Sequence, residues 1–147
     1  MNVSQKCQYA LRCLFELSKR QGQGPVPISE VAQAQAIPPR FLELILAELK
    51  HAGWVDSRRG VSGGYVLAAS ADELSVGDVI RLMDGPLSPV KCMSAQKDSD
   101  CPLRGDCAFI GVWRRAAEAV TNVYDSTTLQ DLVREGAAAC AMANYCI

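Results

Sequence analysis

Between Cys7 and Leu17 the apolar side chains Cys7, Ala10, Leu11, Leu14, Phe15 and Leu17 recur every three or four residues. That spacing predicts a helix with one apolar face. Ser4 stands just before it, where a hydroxyl can accept from the free backbone N–H groups of a first turn. Gly22, Gly24, Pro25 and Pro27 break the pattern into a loop. Ser29 is the expected cap of a short helix, Glu30–Gln35, with Glu30 favourably placed in its first turn. Ile37-Pro38-Pro39 predicts a sharp turn, Pro39 suiting the first position of a third helix because its missing N–H costs nothing there. This helix extends to about Lys50, with Phe41, Leu42, Ile45, Leu46 and Leu49 expected inward, and Ala52-Gly53 ends it.

The period then shortens. Trp54–Ser57 and Tyr65–Leu67 read as two strands joined by the glycine-rich segment Arg58–Gly64. Ser75 and Asp78 form a capping box before a helix carrying Val79, Ile80, Leu82 and Met83, which Gly85-Pro86 stops. Residues 86–107 show no periodicity. Phe109, Val112, Trp113, Ala116, Val120, Val123 and Tyr124 then make an apolar stripe on a helix from about Ala108 to Tyr124. So small a domain has little protein of its own to cover that stripe, which makes it a candidate dimer face. Ser126 is the expected cap of a last short helix through Leu129 and Leu132, followed by an Ala-rich tail.

Two helices joined by a tight turn and followed at once by a hairpin are the order of a winged helix-turn-helix. The fold class is therefore mainly α with a small β-hairpin wing, extended by a long C-terminal dimerisation helix. The expected division is a DNA-binding domain over 1–84, a cysteine-bearing sensor loop over 85–107, the dimerisation helix and a short helix over 108–135, and a tail over 136–147.

Composition changes this picture in two places. The net charge of −1 hides a split: residues 1–67 hold eight Lys/Arg and five Asp/Glu, residues 68–147 seven and eleven. The positive excess lies on the winged helix, where a nucleic-acid partner would need it. No apolar run is long enough to cross a bilayer, and MNVSQKCQYALR lacks the apolar core of a signal peptide, so a cytoplasmic protein without membrane contact is expected. The second change comes from seven cysteines, three of them within sixteen residues: Cys92-x8-Cys101-x5-Cys107. In a reducing compartment such clustering favours metal or redox chemistry over disulfides.

The second helix of a helix-turn-helix presents its N-terminal side chains to base edges in the major groove. Arg40 can donate to guanine O6 and N7, and Glu43 can accept from cytosine N4. The bland alternative is an Arg40–Glu43 pair on a solvated helix face. At the hairpin tip Arg58 and Arg59 lie beside Gly60, Gly63 and Gly64, which combines cationic side chains with a backbone able to approach a groove. The expected DNA-contacting set is Ser29, Pro38, Pro39, Arg40, Phe41, Glu43, Arg58, Arg59, Gly60, Ser62, Gly63, Gly64 and Tyr65.

The segments YALRCLFELS, IPPRFLELILAELKHAGWV, SRRGVSGGYVLA, SVGDVIRLMDGP and STTLQDLV together resemble the Rrf-two family of winged-helix transcription regulators, of the cluster-sensing IscR and NsrR type. The resemblance runs from Met1 to about Val133, and the Arg-Gly-x-x-Gly-Gly-Tyr wing is its most specific part. It implies a homodimer on a palindromic double-stranded operator, regulating transcription rather than catalysing a reaction.

Cysteine thiolates are the usual ligands of iron–sulfur clusters, and three in one loop can reach a single cluster. No Cys-x2-Cys pair is present, so a zinc knuckle fits poorly. The resembling regulators carry three cysteines in this loop. The first gap here is longer than their usual one, an insertion that costs little closure entropy. Ile110 stands where some of them place a histidine ligand. Gln8, or one of Asp98, Asp100 and Asp106, ranks ahead of Cys7 as the fourth ligand. Cys7 and Cys13 read as small apolar residues of the first helix, His51 as a backbone or phosphate contact. A 2Fe–2S and a 4Fe–4S cluster both remain open, as does a thiol-based or ligand-free repressor of the same fold.

Overall fold

The computed structural model describes residues 2–93, 101–103 and 105–144, with side chains described as far as residue 138. Helix α1 spans Gln5–Lys19 and is capped by Ser4, whose hydroxyl accepts from the Cys7 N–H at 3.1 Å. Its buried face is Cys7, Ala10, Cys13, Leu14 and Leu17. Helix α2 (Ile28–Gln35) starts earlier than expected, and Ser29 is not its cap. Pro27 precedes the helix instead, and its carbonyl accepts from Glu30 and Val31 at 3.0 and 3.2 Å. Ser29 is thereby left exposed in the first turn.

Ala36 ends α2 in the left-handed region, at φ 50° and ψ 48°. A non-glycine residue there costs about 1 kcal/mol. The conformation lets the Ile37 N–H reach the Ala32 carbonyl at 2.9 Å and buries Ile37 as the apolar pin of the turn. Helix α3 (Pro39–His51) follows, with Pro39 in its first turn. Leu42, Ile45, Leu46 and Leu49 enter the core, but Phe41 is 55% exposed. Each residue turns a helix by about 100°, and Phe41 precedes the buried row by one such step. Its ring lies beside Tyr9, with centroids 6.1 Å apart.

Strands β1 (Val55–Arg58) and β2 (Gly64–Leu67) pair antiparallel from Val55–Leu67 to Arg58–Gly64. An isolated bridge between Val26 and Tyr65 ties the hairpin to the loop before α2. Helix α4 (Val76–Asp84) has the expected capping box, with both the Ser75 and Asp78 side chains engaged.

A single 3-10 turn, Lys91–Met93, precedes the cysteine segment, and helix α5 runs Ile110–Ser126. Ser126 is the last residue of α5, not a cap. The cap of α6 (Leu129–Asn144) is Thr128, whose hydroxyl accepts from the Asp131 N–H at 3.1 Å while Asp131 accepts from the Thr128 N–H at 3.0 Å. The last helix is also longer than the short one expected, running on through the Ala-rich segment beyond Gly136. The helix continues to Asn144, as a run of alanine, the best helix former, allows.

The starts of α4 and α6 lie side by side. The Val76 N–H donates to Thr127 and the Leu129 N–H to Leu74, both at 2.9 Å. Arg81 closes the joint with two 2.7 Å bonds to Asp125. Gly77 makes room for it, since a Cβ there would overlap the Asp125 carboxylate.

Candidate nucleic-acid interface and cysteine cavity

Helix α3 presents its exposed side to solvent at the surface of the winged domain. Arg40 and Glu43 are both exposed, and the alternative in which they neutralise each other is not formed: neither has an ion pair or a side-chain hydrogen bond among the described residues. At its end, His51 is exposed beside Ala47, Glu48 and Leu82. Arg58 and Arg59 are likewise exposed and unpaired at the wing. Uncompensated guanidinium groups raise the local positive potential.

The wing glycines have a structural duty that the sequence pattern did not reveal. Gly60 adopts φ +115°, open to glycine but strained for other residues. A Cβ on Gly63 would overlap the Arg58 carbonyl and come within 2.8 Å of the Gly60 carbonyl. A Cβ on Gly64 would overlap Val26 and come within 2.8 Å of the Pro27 nitrogen. The turn is thus folded tightly on itself and against the chain entering α2. Ser62 is exposed at the tip, and Tyr65 is half-buried behind it.

Cys92, Cys101 and Cys107 line one cavity of about 320 Å³ together with Leu103, Gly105, Ile110 and Arg114. The cavity adjoins the first turn of α5. Three soft donors around one space suit a thiophilic iron cluster, so the residues present fit such a group in three of its four ligands. Among the described residues no three His, Cys, Asp or Glu side chains are already gathered at single-ion distance. Asp106 is exposed. Asp98 and Asp100 lie outside the described residues, as do Cys146 and the side chain of Cys140. Gln8 is exposed on α1, where its amide donates to the Val3 carbonyl at 3.1 Å.

Cys7 and Cys13 are fully buried. Burial, reinforced by the Asp84 carboxylate, pushes the Cys7 thiol up to about 11. Burial alone pushes Cys13 up to about 12. Both are core residues, as the helix pattern anticipates, and neither is an available thiolate.

A helix-turn-helix whose outer face carries an unpaired arginine, continued by a basic glycine wing, defines a winged-helix DNA-binding transcription regulator. The chain belongs to the Rrf2 family: the family model, described as an iron-dependent transcriptional regulator, matches residues 3–135. It is 38% identical to the HTH-type transcriptional regulator CymR of Bacillus subtilis (strain 168) over 132 residues, covering 90% of this chain and 89% of that one. The solved structure of CymR, the global cysteine regulator of B. subtilis, superposes with a TM-score of 0.75 at 36% identity over 92% of this chain and 98% of that one. That of T. potens IscR gives 0.72 at 32% identity over 92% and 88%. These relatives are regulators and not enzymes. No helix among the described residues is long and apolar enough to cross a membrane.

Proposed function

We propose that the chain is a homodimeric repressor of the cytoplasm that binds a palindromic operator, and that an iron–sulfur cluster in the 85–107 loop sets its affinity. The observation that carries this reading is that Cys92, Cys101 and Cys107 line one cavity at the start of α5. Phe109 just before α5 and Val112 and Val123 on it are exposed, and the helix buries no side chain in a single chain, which favours a second copy as its cover. In this scheme Cys92, Cys101 and Cys107 would hold the cluster, with Gln8 reaching across from a second copy of the chain as the fourth ligand, and the cluster would supply a group sensitive to oxidants, nitric oxide or iron supply. The chain's own part is to hold it where α5 begins, so that its gain or loss biases the packing of α5 and hence the spacing of two α3 helices. Ser29, Pro38, Pro39, Arg40, Phe41, Glu43 and the wing from Arg58 to Tyr65 form the DNA-contacting surface.

Protein purified without oxygen should be brown, with visible absorption that Cys101→Ser abolishes. A colourless protein, free of iron and acid-labile sulfide after reconstitution, would overturn the cluster. A second reading, a thiol switch, is favoured by the absence of a gathered ligand set among the described residues. It predicts a colourless protein whose DNA affinity changes when a peroxide takes two electrons and two protons from a pair of loop thiols to form a disulfide.

Arg59→Ala should weaken operator binding by about 1–3 kcal/mol if the wing reads a groove. Titration of labelled duplex at fixed salt measures it, and an unchanged affinity would remove the wing from the interface.

A further inference from the structure

The outer face of α3 carries an apolar residue that the proposed contacts do not use. Leu44 is 65% exposed, the most exposed large apolar side chain of that helix. Four residues after Arg40 and three before Ala47, it lies in line with both, opposite the buried row of Leu42, Ile45, Leu46 and Leu49. Ala47 is exposed as well. Phe41, the other exposed apolar residue of α3, has Tyr9 beside it. Leu44 therefore forms an apolar spot between an unpaired arginine and an alanine on the face that meets the partner.

The unpaired Arg40, Arg58 and Arg59 make that partner a polyanion, which is the charge complementarity of a duplex. In the major groove the apolar group offered by base edges is the C5-methyl of thymine. We propose that Leu44, with Ala47 beside it, reads thymine methyl groups and sets the base preference next to the bases met by Arg40 and Glu43. The proposal rests on the DNA-binding reading above. Four residues of helix rise about 6 Å, so the thymine falls within about two base pairs of the Arg40 contact.

Uracil in place of thymine removes the methyl group and leaves every hydrogen-bonding atom unchanged. The test uses the full chain and a duplex that it selects from a randomised library. Each thymine is replaced by uracil in turn, and affinity is measured for the wild-type and Leu44→Ala proteins. A buried methyl contributes about 0.8 kcal/mol, so the wild-type should bind about fourfold more weakly for each methyl lost. Leu44→Ala should bind the thymine and uracil duplexes alike.

Uniform wild-type affinity across all uracil replacements would overturn the proposal. So would a Leu44→Ala protein that keeps the full uracil penalty. If Leu44→Ala keeps that penalty and also elutes as a smaller species, Leu44 belongs to a contact between copies of the chain instead. Failure to select any duplex defeats the DNA-binding reading itself, and this proposal with it, whereas a selected duplex indifferent to uracil defeats this proposal alone.

Discussion

Gly64→Ala is expected to destabilise the folded chain by about 1–3 kcal/mol, the range for overpacking, and towards its upper end because the atoms met cannot rotate away. The added methyl would overlap the Val26 carbonyl and press on the Pro27 nitrogen, both main-chain atoms. Relief requires β2 to withdraw from Val26, which breaks the mutual 2.9 Å hydrogen bonds between Val26 and Tyr65. Chemical denaturation should show a lower midpoint with an unchanged slope. Operator affinity should fall too, because the wing loses its fixed position beside α2. Gly60→Ala is the informative contrast. Its φ of +115° is strained for alanine but a Cβ there meets no atom within 4 Å, so its cost should be near 1 kcal/mol. Equal effects from the two substitutions would contradict the packing explanation.

The second large effect is expected at Glu16, which is 1% exposed and is the one buried acidic group among the described residues. Its carboxylate accepts from Gln35 at 2.8 Å, Arg20 at 2.9 Å and Lys19 at 3.0 Å, and Arg20 also pairs with Glu30. One side chain of α1 thus holds both ends of α2, and so the turn that aims α3. Burial opposes ionisation of Glu16, but the hydrogen bonds from Gln35, Lys19 and Arg20 outweigh it and hold the carboxyl below its ordinary value of 4.5. Glu16→Ala should cost about 2–3 kcal/mol, chiefly from the orphaned Gln35 amide and the void. Lys19 and Arg20 can turn to water.

The pH dependence has a definite sign. A carboxyl whose folded pKa is depressed contributes stability above its unfolded pKa and loses it as pH falls through the folded one. Wild-type stability should therefore decline below about pH 4.5, where the unfolded carboxyl begins to bind protons. Glu16→Gln should show a shallower decline over the same interval, measured by thermal unfolding at several pH values. Identical acid limbs would show that Glu16 is not the group responsible.

Local chemistry makes much of the fold legible in the sequence. Ser4, Pro39 and the Ser75–Asp78 box mark helix starts because caps depend on residues within one turn of one another. The same logic misplaced two starts where neighbouring residues competed. Pro27 preempts Ser29, and Thr128 with Asp131 displaces Ser126. Phe41 was misassigned because apolar spacing defines a wide stripe, and only the packed row of Leu42, Ile45, Leu46 and Leu49 fixes its centre. The wing glycines advertised a tight turn, but their contact with Val26 and Pro27 joins segments far apart in sequence. The Arg81–Asp125 bond, with Gly77 beneath it, spans 44 positions and left no local signature. Cys92, Cys101 and Cys107, close along the chain, line one cavity, yet no metal-holding group of His, Cys, Asp or Glu is gathered among the described residues. A fourth ligand is not legible in the same way, since a side chain from another element or another copy of the chain obeys no local spacing.

The joint between α4 and α6 also gives α5 a mechanical character. Its C-terminal end is fastened to the winged domain through Arg81–Asp125 and the Thr127 carbonyl, while its N-terminal end borders the cysteine cavity. Seventeen residues separate a pinned end from a loaded one. At 1.5 Å per residue that is a lever of about 25 Å, and a tilt of about 5° sweeps its tip through about 2 Å. Helix displacements of about 1–2 Å are those that repack interfaces between subunits. If the three cysteines hold the proposed group, a small change of volume or charge there would be delivered at the scale on which packed helices change partners.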